Sequence, residues 1–459
     1  MDSAAATSPP SAAGTRQSAH ALWRRFVNPD YVALLEAFDF GRRFTWAQGT
    51  RLRDDEGREY TDFLAGFGVH NVGHNHPRLV ARLREALASG EPSMLNVDAP
   101  LAAGRLAERL NALTHPDLCR AAFASSGAEA VEIAIKAARA ATRRPGLLAC
   151  AGAYHGLTTG ALALQQEPAH TRAFGPLLPG AEQVPFGDTA ALEEACARLQ
   201  PAAFFVEPVQ GEGGIRAAPP GYLEAAGRIC RARGCLLVVD EIQTGLGRTG
   251  ADFATDFARV APDILLVGKA LSGGLVPVAA ALMNARTWSR AFSGPERCHG
   301  CASTFAAGRL AMVAGLETLN VLREEDLAAR SRAEGGWFLD RLQDLARRHP
   351  VIRNVRGCGL FMGIEFQPAS GWLSKVVPRW ARQQLFTQVA AAVLLRDHGL
   401  LTQACGRAPA VLRIEPPLVI TRAEIDGFVA ALDQVLAGYP SPGSAIAAAF
   451  RKTILKGDL

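Results

Sequence analysis

Short apolar runs bounded by polar turns recur through the middle of the chain: Leu147–Cys150, Ala203–Val206, Leu236–Val239, Ile264–Val267 and Val278–Leu282. Being apolar at every position, they predict strands covered on both faces. Amphipathic stretches lie between them. Ala128–Thr142 places apolar residues at 131, 134, 135 and 138, the spacing of one helical face. A longer helix is expected from about Arg309 to Val321. Strands alternating with helices predict an α/β fold, a mostly parallel sheet between helical layers. Upstream, Arg51–Tyr60 predicts a hairpin turning at Asp55-Glu56-Gly57, and residues 66–74 are too rich in glycine for a regular element. Beyond the long helix, mixed helices and strands to about Gly438 predict a smaller α+β domain. No internal repeat is visible.

At 459 residues, two or three domains are expected. The division expected is a leader (1–20), an N-terminal segment joining the small domain (21–75), a large domain (76–315), the small domain (316–440) and a tail (441–459). The leader, rich in Ala, Ser, Thr and Pro, predicts disorder and lacks the basic and apolar regions of a secretory signal. No apolar run reaches the length of a membrane span. The net charge is +5, but the arginines are scattered in pairs without interleaved aromatics, a poor pattern for nucleic acid. Nine cysteines, an odd number without framework spacing, favour a reducing, cytoplasmic setting. Cys298 and Cys301 form a lone C-x-x-C, so no metal is expected.

The charge inventory singles out one residue. Arginine outnumbers lysine 44 to 5, and one of the five, Lys269, ends the apolar run Ile264–Val267 just before a glycine-rich turn. Burial lowers a lysine's pKa, and a neutral amine can attack a carbonyl to form a Schiff base. A lysine reaching from a strand end into water would look the same locally. Two more strands end in charge: Ala203–Val206 in Glu207, and Leu236–Val239 in Asp240-Glu241. In a parallel sheet these carboxyl ends share one edge, where ligands bind. A structural ion-pair cluster is the other reading. Ser126 is placed to cap the helix that follows, with Glu129 three residues on as in a capping box. Gly127 and Ala128 then leave backbone N–H groups free at a positive helix end, an anion site. A lysine, a carboxylate and a phosphate cradle together suggest pyridoxal 5'-phosphate (PLP).

Six blocks in order carry a family resemblance: residues 125–130 (Ser-Ser-Gly-Ala-Glu-Ala), 153–156 (Ala-Tyr-His-Gly), 207–214, 240–250, 268–271 (Gly-Lys-Ala-Leu) and 412–418 (Leu-Arg-Ile-Glu-Pro-Pro-Leu). In these the chain resembles the class III aminotransferases of PLP fold type I, from about Val27 to Ala437. The resemblance implies a seven-stranded sheet in the large domain. It implies Lys269 as the Schiff-base lysine and proton carrier, and Asp240 at the pyridine nitrogen. Gln243 would reach the phenolic oxygen and Tyr154 would stack on the ring. Ser126, Gly127 and Ala128 would hold the phosphate, and Glu207 would also bind the cofactor. Thr304 would reach the phosphate of a neighbouring subunit, making the protein a homodimer, or a tetramer, with shared sites. On the substrate side it implies Arg413 for an α-carboxylate, Glu212 to pair with Arg413 when that carboxylate is absent, and Phe67. The block at 301–309 departs from the family's usual pattern, replacing its His, Asn and Pro but keeping Thr304.

Residues 66–74 and 412–418 resemble the putrescine aminotransferase branch, and a related secondary-metabolism group that aminates fatty or polyketide aldehydes. An apolar segment from Gly371 to Trp380 carries Trp372 and Trp380, which could line an acyl channel or simply pack. The expected reaction is ping-pong transfer from an amino acid to a terminal apolar aldehyde. Putrescine or an ornithine-like amine with 2-oxoglutarate is the alternative. An aminomutase, racemase or decarboxylase is the alternative of another class.

Overall fold

Seven strands build the central sheet of the computed structural model, which describes residues 16–38, 40–94, 97–166, 171–368 and 379–443. They are β1 (Arg120–Ala124), β2 (Leu147–Cys150), β3 (Ala181–Val184), β4 (Ala203–Val206), β5 (Leu236–Asp240), β6 (Ile264–Val267) and β7 (Ala279–Met283), in spatial order β1-β7-β6-β5-β4-β2-β3. All share one direction except β7, which runs antiparallel to both neighbours. Its direction follows from chain length. Only eleven residues, 268–278, separate β6 from β7, and a parallel return needs a dozen or more.

Side-chain alternation along these strands feeds two separate cores. Leu148, Phe204, Val206, Leu237, Val239, Leu265 and Val267 face one, and Leu147, Ala203, Phe205, Val238, Ile264 and Leu266 face the other. Helix Gly127–Thr142 covers the second face with Ala130, Val131, Ala134 and Ala138, while helix Tyr222–Arg233 covers the first with Leu223, Ala226 and Cys230. With both faces dry, the inner strands β2, β4, β5 and β6 stay apolar until they end, so charge collects at the carboxyl edge.

Two four-stranded sheets flank this body. One joins Phe44–Gln48, Arg51–Asp54, Glu59–Asp62 and Leu400–Leu401; its second and third strands form the hairpin that the sequence predicts. The other joins Ile352–Cys358, Phe361–Phe366, Val411–Ile414 and Gln403–Ala404, and brings Arg413 to the site. The buried Arg248 fastens that sheet to the central body, donating to the carbonyls of Leu360 (2.9 Å) and Pro416 (2.6 Å) and to Asn71 Oδ1 (2.6 Å).

Several local expectations shift. Helix Arg16–Phe26 begins inside the segment expected to be disordered through His20. The long helix runs Arg309–Glu324, one turn further than expected. Strands β1 and β3 carry no run of large apolar residues and were not expected. Trp372 lies outside the described residues, as does the side chain of Trp380. Among the described residues, no helix is long and apolar enough to cross a membrane.

Candidate active site

The three charged strand ends meet as their parallel register requires. Val239 of β5 pairs with Val206 of β4, and Asp240 pairs with Leu266 of β6, so Glu207, Asp240 and Lys269 leave the sheet at neighbouring points. Asp240 is buried. Its Oδ2 meets His155 Nδ1 at 2.7 Å, and its Oδ1 accepts the Ile242 N–H at 3.0 Å. Burial opposes charge on His155, but the hydrogen bond and charge of Asp240 outweigh it and raise the imidazole pKa. His155 is thereby held against Asp240, oriented by this hydrogen bond.

Glu207 is also buried; it accepts the Tyr154 N–H at 2.8 Å and, at 3.4 Å, that of Gly211. Burial pushes its carboxyl up to about 7. Its clearest geometric effect is to fix the backbone at Tyr154, whose phenol burial also shifts upward.

Lys269 is half-buried at a left-handed backbone position (φ 42°). A non-glycine residue there stores strain. Burial lowers the Lys269 pKa, against the opposing charges of Glu415, Glu212 and Asp240. The result is an amine that loses its proton more readily than a surface lysine.

At the start of helix Gly127–Thr142, Ser126 Oγ accepts the Glu129 N–H at 3.2 Å. The capping box expected there is displaced by one residue. The Glu129 carboxylate takes the Ser125 N–H at 2.7 Å instead. The N–H groups of Gly127 and Ala128 have no acceptor within the helix and stand at its positive end. Gly156 (φ +116°) lets the loop after Tyr154 lie against this turn, since a Cβ there would come within 2.6 Å of the Ala128 Cβ.

On the substrate side, Arg413 is fully buried and donates through Nη2 to Glu212 Oε1; Glu212 Oε2 accepts the Gly406 N–H at 2.7 Å. Burial alone would raise the Glu212 pKa, but Arg413 and the Gly406 N–H overcome it and lower it. The guanidinium lies 5.1 Å from the Phe67 ring centre, and its Nε and Nη1 have no hydrogen-bond acceptor.

Beneath it lies Glu415, fully buried, which accepts from Gln243 Nε2 at 3.0 and 3.2 Å and faces Arg413 Nη1 at 3.7 Å. Burial raises its pKa despite the cations around it. Gln243 thus reaches the site with its amide nitrogen committed to Glu415 and, at 3.3 Å, to the Phe67 carbonyl.

Thr304 stands elsewhere, in an open recess of about 540 Å³ lined also by Asp98, Phe123, His299 and Cys301, which contains none of the other candidate residues. Among the described residues no cluster of His, Cys, Asp or Glu has a metal-holding arrangement.

Sequence reasoning did not single out His155, Glu415 or Gly406. Glu415 had a signal, being two residues from Arg413 and therefore on the same face of an extended chain. His155 lies inside the block around Tyr154, but only the folded sheet shows its bond to Asp240.

The family model for class-III aminotransferases matches residues 39–436. This chain is a class-III aminotransferase. Its cofactor is pyridoxal 5'-phosphate, and the residues present fit it: an amine that gives up its proton readily, a buried carboxylate hydrogen-bonded to His155, and unpaired N–H groups at a helix start. The aminotransferase is 34% identical over 447 residues to the aminotransferase PigE of Serratia sp. (strain ATCC 39006). That match covers 90% of the chain and 52% of PigE, so the chain spans about half the length of this relative. Among solved structures it is similar to the ornithine aminotransferase of Toxoplasma gondii (TM-score 0.80, 32% identity, 92% of this chain and 93% of that one). It is also similar to a PLP-bound amine transaminase from an uncultivated Pseudomonas species (TM-score 0.77, 27% identity, 86% and 94%).

Proposed function

We propose that this aminotransferase moves an amino group from an amino acid to a terminal, apolar aldehyde, in two half-reactions that share one pocket. The observation that carries this is the pair Arg413–Glu212. Arg413 is buried beside the Phe67 ring with Nε and Nη1 lacking hydrogen-bond acceptors and Glu415 3.7 Å from Nη1, while Glu212 bonds Nη2. An α-carboxylate that displaces Glu212 gains a bidentate partner. A substrate without that carboxylate leaves the ion pair closed and meets a neutral wall. One pocket thus accepts both classes in turn.

The cofactor supplies an electron sink for the bond-breaking at the substrate's amino carbon. Lys269 would hold it covalently and would carry the proton to and from that carbon. Asp240, hydrogen-bonded to His155, would serve the pyridine nitrogen. Tyr154, its backbone fixed by Glu207, would stack on the ring, and Gln243 would serve the phenolic oxygen. Ser126, Gly127 and Ala128 would take the phosphate, and Thr304 would contribute to that of a partner subunit in a homodimer.

The likeness to PigE, a protein named only as an aminotransferase, leaves the acceptor to the pocket's chemistry, and the likeness to an ornithine aminotransferase makes a diamine the reading to beat. Half-reactions with octylamine and with putrescine, followed by the absorbance of the bound cofactor, separate the two. Octylamine should react faster. Equal or faster reaction of putrescine would sink the aldehyde reading. A cofactor that keeps its starting spectrum with every single amine would point to a mutase or racemase.

A further inference from the structure

Glu212 is held closed by two donors, and only one of them is Arg413. The second is the backbone N–H of Gly406, 2.7 Å from Oε2. Gly406 follows Cys405 and precedes Arg407 in the turn between strands Gln403–Ala404 and Val411–Ile414. A Cβ on Gly406 would fall 2.8 Å from Glu212 Oε2, too close for real contact, so glycine here leaves the carboxylate its space. The turn is itself anchored. The Arg407 N–H donates to the Glu212 carbonyl at 3.1 Å, so the turn grips the same residue by main chain and side chain. The Arg407 guanidinium donates to the side chain of Gln165 and, at 3.4 Å, to its carbonyl. The buried Gln165 in turn donates to the carbonyl of Gly156, two residues after Tyr154. A continuous set of contacts therefore runs from the loop over the cofactor ring to the carboxylate that masks Arg413.

We infer that Gly406 is a specificity-determining latch, whose N–H and missing side chain hold Glu212 on Arg413 and so set the balance between substrates with and without an α-carboxylate. This rests on the proposed reading of Arg413–Glu212 as an exchangeable pair. A carboxylate with two donors leaves its closed position less readily than one with a single donor, because both charge-assisted hydrogen bonds must be given up. Without the latch, the open state gains population. Amino acids then find Arg413 already uncovered, while amines lacking the carboxylate face a buried cation that has lost its hydrogen-bonded carboxylate and keeps only Glu415 at 3.7 Å. Gly406 touches neither substrate nor cofactor in this scheme; it is a positioning residue.

The test is a double-mutant cycle on the PLP-loaded enzyme, with octylamine and L-alanine as separate half-reaction probes. Gly406→Ala keeps the N–H but sets a Cβ 2.8 Å from Glu212 Oε2, so the carboxylate must shift off this donor. KM for octylamine should then rise by about tenfold, the scale of one charge-assisted hydrogen bond, while KM for L-alanine falls. In a Glu212→Ala background the same substitution should change neither, since the group it acts on is gone. Equal losses in both half-reactions, or an effect that persists without Glu212, would show that Gly406 acts on folding or elsewhere and would overturn the latch. Glu212→Ala alone reads out the underlying proposal. If it fails to separate the two probes, the exchangeable pair is wrong. If it separates them and Gly406→Ala does not, only the latch is wrong.

Discussion

At the carboxyl ends of β4 and β5, Glu207 and Asp240 each have hydrogen-bond partners on both oxygens, supplied by His155 and by the N–H groups of Ile242, Tyr154 and Gly211. On the flanking sheet, Arg413 is as deeply buried yet keeps Nε and Nη1 without acceptors. Both regions hold charge away from water, a costly arrangement unless each group is paired. In the first, both carboxylates are satisfied by the protein itself, with His155 Nε2 left as a buried atom without a partner. The second is left incomplete, and an incoming carboxylate can complete it. A site that must hold one cofactor while alternating between two substrates divides along this line.

Three predictions can break or sharpen the contrast. The largest effect belongs to Lys269, proposed to serve both half-reactions. Lys269→Ala should slow each by about 10³-fold, within the range for loss of a positioned acid–base, with the lysine-linked absorbance of bound cofactor abolished. A loss confined to one half-reaction would show that the lysine is not shared. Arg413→Ala should then discriminate. It removes a bidentate carboxylate partner, so kcat/KM for L-alanine should fall by about a hundredfold, the scale of ~3 kcal/mol for hydrogen bonds to a charged group. Octylamine should suffer much less. Similar losses for both would place Arg413 with the fixed region.

The smallest effect concerns pH and the fixed region alone. The Glu207 carboxyl is raised to about 7 in the folded chain, above its ordinary 4.5. A raised carboxyl pKa means that the unfolded chain releases its proton first. This group's contribution is therefore fully present below about pH 4.5 and is lost as pH rises through 7, by roughly 3 kcal/mol. In cofactor-free protein, the stability of wild type relative to Glu207→Gln should fall between pH 5 and 8, followed by urea denaturation. A flat difference would mean that Glu207 stays ionised throughout.

Much of this was legible in the chain. A strand buried on both faces must be apolar throughout, so β2, β4, β5 and β6 announce themselves, and the charged residues that end them stand out as ligands of the shared edge. β1 and β3 were not legible. Arg120–Ala124 is mostly alanine and Ala181–Val184 carries Glu182 and Gln183; their pairing comes from neighbours distant in sequence. The reversed direction of β7 was implicit in its short connection but not in its residues. The deeper layer of the site escaped for the same reason. His155 matters through Asp240, Glu415 through Gln243 and Gly406 through Glu212, and those contacts span 85, 172 and 194 positions.

The sheet that carries Arg413 also has a place in time. Its last strand closes 144 residues after Lys269 (413 − 269). At translation rates of about 5–20 residues per second, Lys269 leaves the ribosome on the order of ten seconds before Arg413. For that interval the nascent chain already holds the lysine, both strand-end carboxylates, the helix start at Gly127 and Glu212. Of the pair proposed to sort substrates, one member is made before the lysine and the other after it, so their exchange is possible only once this sheet is complete.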